Sequence, residues 1–233
     1  DNGSGIEKSQ VRTAFLRHAT SKIKSALDLV TVSSLGFRGE ALSSISAVSK
    51  VELITKTARD LTGVRYEIDV GREKTFEEIG CPEGTTFIVR ELFFNTPARQ
   101  KFLKSAKTEG TYISDLIEKL AMSHPDISFK LIVNGGTKLY TTGNGNLKEI
   151  IYQIYGREVS KQLLEIEKEN PYMKLHGYIG KPVLSRGNRS FENYFINNRF
   201  IKSPVVSRGI EEGYHTYTMV HKYPFCAFYM DVN

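Results

Sequence analysis

Cysteine is scarce: Cys81 and Cys226 are the only two in 233 residues. Two isolated thiols supply neither a four-ligand zinc site nor a disulfide framework. They read as unpaired thiols in a reducing compartment. Long apolar runs are missing too. No stretch approaches the roughly 18 consecutive apolar residues of a membrane span, and no basic start runs into an apolar stretch as in a secretory signal. The common glycine-rich phosphate loops are also absent. No G-x-x-x-x-G-K-[ST] occurs, and "IGKP" (179–182) lacks the hydroxyl after its lysine, which closes the P-loop route. No G-x-G-x-x-G occurs either.

What is present is ordinary in bulk and uneven in detail. The chain is 40% hydrophobic and 25% charged, with a net charge of +6. That suits a folded protein able to bury a core in one large or two smaller domains. Residues 1–150 and 151–233 each carry +3. Between 171 and 210, however, Lys174, Lys181, Arg186, Arg189, Arg199, Lys202 and Arg208 are offset only by Glu192. A cluster of that kind is a candidate phosphate-binding surface, with a solvated polar face as the plainer alternative.

Periodicity predicts mixed structure. Val11, Ala14 and Phe15 in "EKSQVRTAFLR", and Leu42, Ile45 and Val48 in "GEALSSISAVS", fall at helical spacing. "VELITKT", "GVRYEIDV", "KTFEEI" and "TTFIVREL" read as strands, Phe87, Val89 and Glu91 alternating with Ile88 and Arg90. "NTPARQKFL" predicts a helix with Thr96 as N-cap and Pro97 in the first turn. "YISDLIEKLAMSHP" predicts a further helix, stopping near Pro125. "ISFKLIVNGGTKLYTT" predicts a hairpin turning at Asn134, Gly135 and Gly136. "TTGNGN" (141–146) reads as a linker, and "LKEIIYQIYG" as a short helix ending at Gly156. A second α+β unit then has strands near 172–180, 191–197 and 224–232 and a helix near 204–213. The expected domains are 1–150 and 151–233.

Three glycine segments carry the chemistry: "DNGSGI" (1–6), "LGFRGEAL" (35–42) and "EGTT" (83–86). Glycine lets a flat ligand approach the backbone closely, and the Asp1 carboxylate can accept a hydrogen bond from an exocyclic amine such as adenine's. A calcium loop is excluded, because Ile6 and Arg12 stand where an EF-hand needs glycine and glutamate. A simple turn is the remaining alternative. In "GFRGEAL" a glycine turn leads into a helix start whose free amides suit a phosphate, with Arg38 adding charge; a glycine-capped loop with a capping glutamate is the plainer alternative.

In order and spacing these segments resemble the GHKL ATPase superfamily. "RHATSKI" (17–23), "LGFRGEAL", "GTTFIVRELFFNTPARQKFL" (84–103) and "FINNRFIKS" (195–203) resemble its MutL branch. The resemblance implies an α+β fold: a GHKL (Bergerat-type) ATP-binding α/β sandwich, then a smaller βαβ transducer domain. It implies a DNA mismatch repair mediator that binds and slowly hydrolyses ATP with Mg2+, dimerises on ATP, and couples mismatch recognition to strand excision. A gyrase-type ATPase and a non-hydrolysing DNA-binding scaffold are the alternatives. The implied nucleotide contacts are Asp1, Gly3, Gly5, Thr20, Ser21, Lys22, Arg38, Gly39, Glu40, Ala41, Leu42, Thr85 and Thr86. The implied DNA contacts are Arg186, Arg189, Arg199, Lys202 and Arg208, Arg199 of "NNR" foremost. In the family the water-activating glutamate and the magnesium-binding asparagine precede the D-x-G-x-G segment. No catalytic or metal residue is therefore expected within this sequence, and residues 1–233 alone are expected to hydrolyse no ATP and bind it poorly. Expected partners are double- and single-stranded DNA, a mismatch-recognition protein of the MutS type, and a second copy or a paralogue. No membrane is expected. The location would be the bacterial cytoplasm, near the nucleoid, or a eukaryotic nucleus.

Overall fold

The computed structural model describes residues 1–23, 36 and 38–232. Leu35 and Phe37, within the expected lid, lie outside the described residues. The chain divides into two compact units, Asp1–Leu103 and Lys104–Asn233.

The first unit is built on a four-stranded antiparallel sheet in the order β3-β2-β1-β4. Its strands are β1 (Lys50–Lys56), β2 (Gly63–Asp69), β3 (Arg72–Ile79) and β4 (Gly84–Arg90). Alternation sorts the residues by face. Val51, Leu53, Val64, Tyr66 and Ile68 point into the core with Val11 and Phe15, and Ile6, Ala14, Leu42 and Phe76 pack around them. The opposite face is polar: Glu52 meets Arg65 and Arg90, and Arg65 also meets Glu67 and Glu77. Such exposed pairs contribute little stability. The sheet is thus one-sided, and burial of the apolar row holds it at about 25 cal/mol per Å² removed from water.

The predicted helix over 7–17 forms only as a 3-10 turn, Lys8–Gln10, and one α turn, α1 (Val11–Ala14). It nevertheless buries Val11 and Phe15 as its spacing requires. A second short helix, α2 (Ala41–Ser46), follows Gly39 and Glu40. Pro97 opens α3 (Pro97–Gln100), which stops after one turn, and the Thr96 side chain makes no capping bond. The longer predicted helix starts afresh at a different cap. Ser105 accepts from the Thr108 amide, and α4 runs Ala106–Ser123.

In the second unit α4 is followed by the hairpin of β5 (Lys130–Val133) and β6 (Gly136–Tyr140). Its turn is Asn134-Gly135, both at positive φ, the two-residue geometry that matches strand twist; Gly136 belongs to the strand. Next come α5 (Leu147–Tyr155), capped by Asn146, and α6 (Arg157–Ser160). The second sheet comprises β7 (Leu163–Asn170), β8 (Met173–Gly180), β9 (Glu192–Ile196), β10 (Arg199–Phe200) and β11 (Cys226–Val232). Its order is β10-β9-β11-β8-β7. Only the β9 and β11 pair is parallel. The helix α7 (Pro204–Tyr214) crosses between them, giving the expected βαβ unit.

This sheet is buried on both faces. Ala227, Tyr229 and Phe195 point to a core shared with Ala121 and Met122 of α4, Leu139 of β6, and Ile150 and Ile151 of α5. Cys226, Phe228, Met230 and Tyr194 point the other way, toward Val206 and Ile210 of α7. Residues 104–150 therefore share a core with the strands beyond 150. Cys226 is buried and Cys81 half-buried, both as free thiols; burial pushes the Cys226 thiol up.

Candidate functional site

The first segment packs onto the sheet through glycine. Gly5 has a φ of 71°, and a Cβ there would stand 2.1 Å from the Lys56 carbonyl oxygen of β1. Gly84 has a φ of 118°, and a Cβ there would stand 2.1 Å from the Asp1 carbonyl oxygen. The two segments meet as a backbone pair. The Asp1 nitrogen donates to the Thr85 carbonyl at 2.8 Å and the Thr85 amide donates back at 3.1 Å. The Asp1 side chain is ordered by its own turn, the Gly3 amide donating to Oδ1 at 2.9 Å. That turn commits one carboxylate oxygen internally, and Asp1 itself is exposed. The result is an exposed carboxylate of fixed direction beside a glycine-paved backbone, an acceptor suited to an amine donor.

Thr85 and Thr86 separate by pleat. Thr85 lies opposite Thr55 in the β1–β4 register, on the face that carries Leu53 and Val51, whereas Thr86 lies opposite Ile54 on the other face. The structure groups Thr85, and not Thr86, with Asp1. At the centre stands a residue the sequence reading missed. Thr55 is 1% exposed. Its hydroxyl takes the Ile6 amide at 2.9 Å and lies 3.0 Å from the Gly84 carbonyl and 3.1 Å from Thr85 Oγ1. The signal was present: a hydroxyl sits at an inward position of a strand whose other inward positions are Val51 and Leu53.

The lid segments also meet each other. Gly39 has a φ of 64°, and a Cβ there would lie 2.3 Å from the Ala19 carbonyl, so only glycine lets the two chains approach this closely. His18 Nδ1 and Glu40 Oε1 lie 3.2 Å apart. Thr20 Oγ1 accepts from the Lys22 amide at 3.2 Å. Thr20 is half-buried, whereas Ser21, Lys22, Arg38, Glu40 and Ala41 are exposed. Leu42 packs into the first core, anchoring α2 directly behind Gly39.

Part of the basic cluster of the second unit lies at a cavity of about 920 Å³, whose lining also holds the acids Asp115, Glu118, Glu192 and Glu211. Arg189, Lys202 and Arg208 line it, together with Lys119 of α4. Arg186 lies over the Phe191 ring at 5.1 Å. Arg199 stands half-buried on β10, paired in register with Ile196. The charge excess read from 171–210 is trimmed by residues outside that window. Arg189 Nε bonds Glu211 at 2.5 Å, and Lys174 bonds Glu167 at 3.0 Å.

Glu192, read as the lone acid offsetting this cluster, is 6% exposed and so is not a surface counter-charge. Its Oε2 accepts from Ser207 at 3.0 Å, and its Oε1 has no partner. Burial pushes its carboxyl up, against the opposing bond from Ser207. A carboxyl whose folded pKa is raised binds its proton more tightly in the native state, so stability is lost as pH rises through that folded pKa. Glu192→Gln is therefore expected to raise the melting temperature at pH 8 by at least ~2 °C over the parent. The gap should close toward pH 4, as paired calorimetric scans would show.

Among the described residues no three His, Cys, Asp or Glu side chains converge in a way that could hold a metal ion.

The fold and its glycine-built edge define a class, that of GHKL-type ATPase domains. The solved structures agree. The ATPase domain of Aquifex aeolicus MutL complexed with ADP superposes with a TM-score of 0.71 at 25% identity, covering 100% of this chain and 78% of that one. The N-terminal domain of a DNA repair protein gives 0.80 at 26% identity, covering 100% and 72%. The family described as "DNA mismatch repair protein, C-terminal domain" matches residues 151–233. DNA mismatch repair protein MutL of Agathobacter rectalis is 63% identical over the whole of this chain, and that of Clostridium tetani 40%. The chain belongs to the MutL family of DNA mismatch repair proteins. It spans 37% of the length of each of these two relatives.

Proposed function

We propose that residues 1–150 form an ATP-binding domain and residues 151–233 a transducer domain of a mismatch repair mediator. The family match that begins at 151 supports this boundary, whereas the compact units part after Leu103 and residues 104–150 share a core with the strands beyond 150. The observation that carries the nucleotide reading is the Asp1–Gly3–Thr85 constellation: an exposed carboxylate held by its own turn and tied by backbone bonds to a threonine-bearing strand. Asp1 would accept from the adenine amine through the oxygen that Gly3 leaves unused, with Thr85 beside it. Gly3 and Gly5 would shape the pocket, Gly5 by letting the first segment lie against Lys56 of β1. Thr20, Ser21, Lys22, Arg38, Gly39, Glu40, Ala41 and Leu42 would form the lid around the phosphates, with Leu42 anchoring it to the core and the Gly39–Ala19 contact holding its two ends together.

ATP with magnesium supplies the hydrolysable phosphate. The residues named here bind and orient it, and no general base is assigned among them. Nucleotide would order the lid, and the ordered lid would complete a surface for a second copy or a paralogue. Arg186, Arg189, Arg199, Lys202 and Arg208 would contact DNA, mostly at phosphates, so binding would be salt-sensitive and weakly sequence-selective. A MutS-type protein would deliver the mismatch signal. No helix among the described residues is long and apolar enough to cross a membrane.

Calorimetric titration with ATP tests the reading on the full-length protein, the parent of every variant below, because residues 1–233 alone are expected to bind ATP poorly. Asp1→Ala is expected to weaken binding by roughly 10- to 100-fold, the scale of a lost charge-assisted hydrogen bond, with the melting temperature unchanged. Equal affinity in both proteins would remove Asp1 from the site. DNA binding with no nucleotide affinity in the parent would favour a scaffold.

A further inference from the structure

The Thr55 hydroxyl has one proton and two acceptor sites. Three neighbours surround it: the Ile6 amide at 2.9 Å, the Gly84 carbonyl at 3.0 Å and Thr85 Oγ1 at 3.1 Å. The amide can only donate and the carbonyl can only accept. The arrangement that satisfies all three has Thr55 donate to Gly84, accept from Ile6, and accept from Thr85. The Thr85 proton is then committed inward, and Thr85 offers only acceptor lone pairs to whatever lies beside Asp1. If instead Thr55 donated to Thr85, the Gly84 carbonyl would lose this bond, in a site 1% exposed where unmade bonds are expensive.

We propose that Thr55 is a specificity-determining positioning residue for the nucleotide site. By holding the Thr85 hydroxyl as an acceptor, it selects a base edge that presents an amine over one that presents a carbonyl. This inference rests on the nucleotide reading above. Asp1 and Thr85 then make an all-acceptor edge. An adenine amine satisfies it. With the base held in the same orientation, a guanine carbonyl placed there would face lone pairs with no proton between them, a mismatch that a site built to accept from an amine disfavours. Thr55 itself touches no ligand and acts through Thr85.

The test is the ratio of ATP to GTP affinity, measured by calorimetric titration on the parent, Thr55→Val and Thr55→Ser. Valine keeps the volume and removes the hydroxyl, freeing Thr85 to turn its proton outward. The ATP preference is expected to fall at least tenfold in Thr55→Val and to stay at the parental value in Thr55→Ser. A structural role alone would weaken both nucleotides together, so an unchanged ratio in Thr55→Val overturns the proposal. If that variant does not fold, Thr85→Val at the half-exposed partner must lose the same preference, and retention of it overturns the proposal equally. A parent that binds ATP and GTP alike overturns the proposal and leaves the nucleotide site standing. A full-length parent that binds neither removes the nucleotide reading and the proposal with it.

Discussion

Gly84→Ala is expected to abolish measurable ATP binding and to cost about 3 kcal/mol of stability, the upper range for overpacking joined to backbone strain. The reason is a coincidence of two constraints. Gly84 sits at a φ of 118°, which an L side chain rarely adopts, and a Cβ there would lie 2.1 Å from the Asp1 carbonyl oxygen and 2.9 Å from the Asn2 Cα. No rotamer relieves a clash between backbone atoms. The strand and the first segment must separate, which breaks the Asp1–Thr85 backbone pair and carries the Asp1 carboxylate away from Thr85. Denaturant unfolding gives the stability cost and calorimetry with ATP gives the binding. Full affinity in a stable Gly84→Ala protein would show that the segments need not touch.

The double change Lys202→Ala and Arg208→Ala is expected to weaken DNA binding by roughly 10- to 100-fold near physiological salt, and to flatten the plot of log affinity against log salt by about 1.8. That slope is the signature of two lost phosphate contacts at ~0.9 each on duplex DNA. Both side chains are exposed at the rim of the same cavity. Arg189→Ala should cost less, because its guanidinium is bonded to Glu211 and lies 4.5 Å from the Tyr223 ring. Fluorescence anisotropy across a salt series measures both. An unchanged slope in the double variant would place DNA elsewhere.

Strand existence was well marked in the sequence. The run "VELITKT" alternates cleanly because one face of β1 is buried and the other carries charge. Strand β7 was not legible. Its sequence, "LLEIEKEN", is half charged because it lies at the sheet edge, where apolar alternation is weakest. The helix expected over "NTPARQKFL" stops after one turn, since a proline start fixes where a helix begins and not how far it runs.

The site divides along the same line. The sequence by itself determined the glycine segments, the acid at their head and the family they mark, because positive φ and close backbone approach admit almost no other residue. Tertiary structure alone put Thr85 and Thr86 on opposite faces of β4, since pairing with Thr55 and Ile54 decides which face each occupies. It alone brought Gly39 against Ala19, and revealed Thr55 as the hub between two segments far apart in the chain. It also turned Glu192 from a surface counter-charge into a buried carboxyl. Each of these outcomes rests on contacts between residues distant in sequence, and a linear pattern of residue types carries no information about which distant partner a hydroxyl or carboxylate will meet.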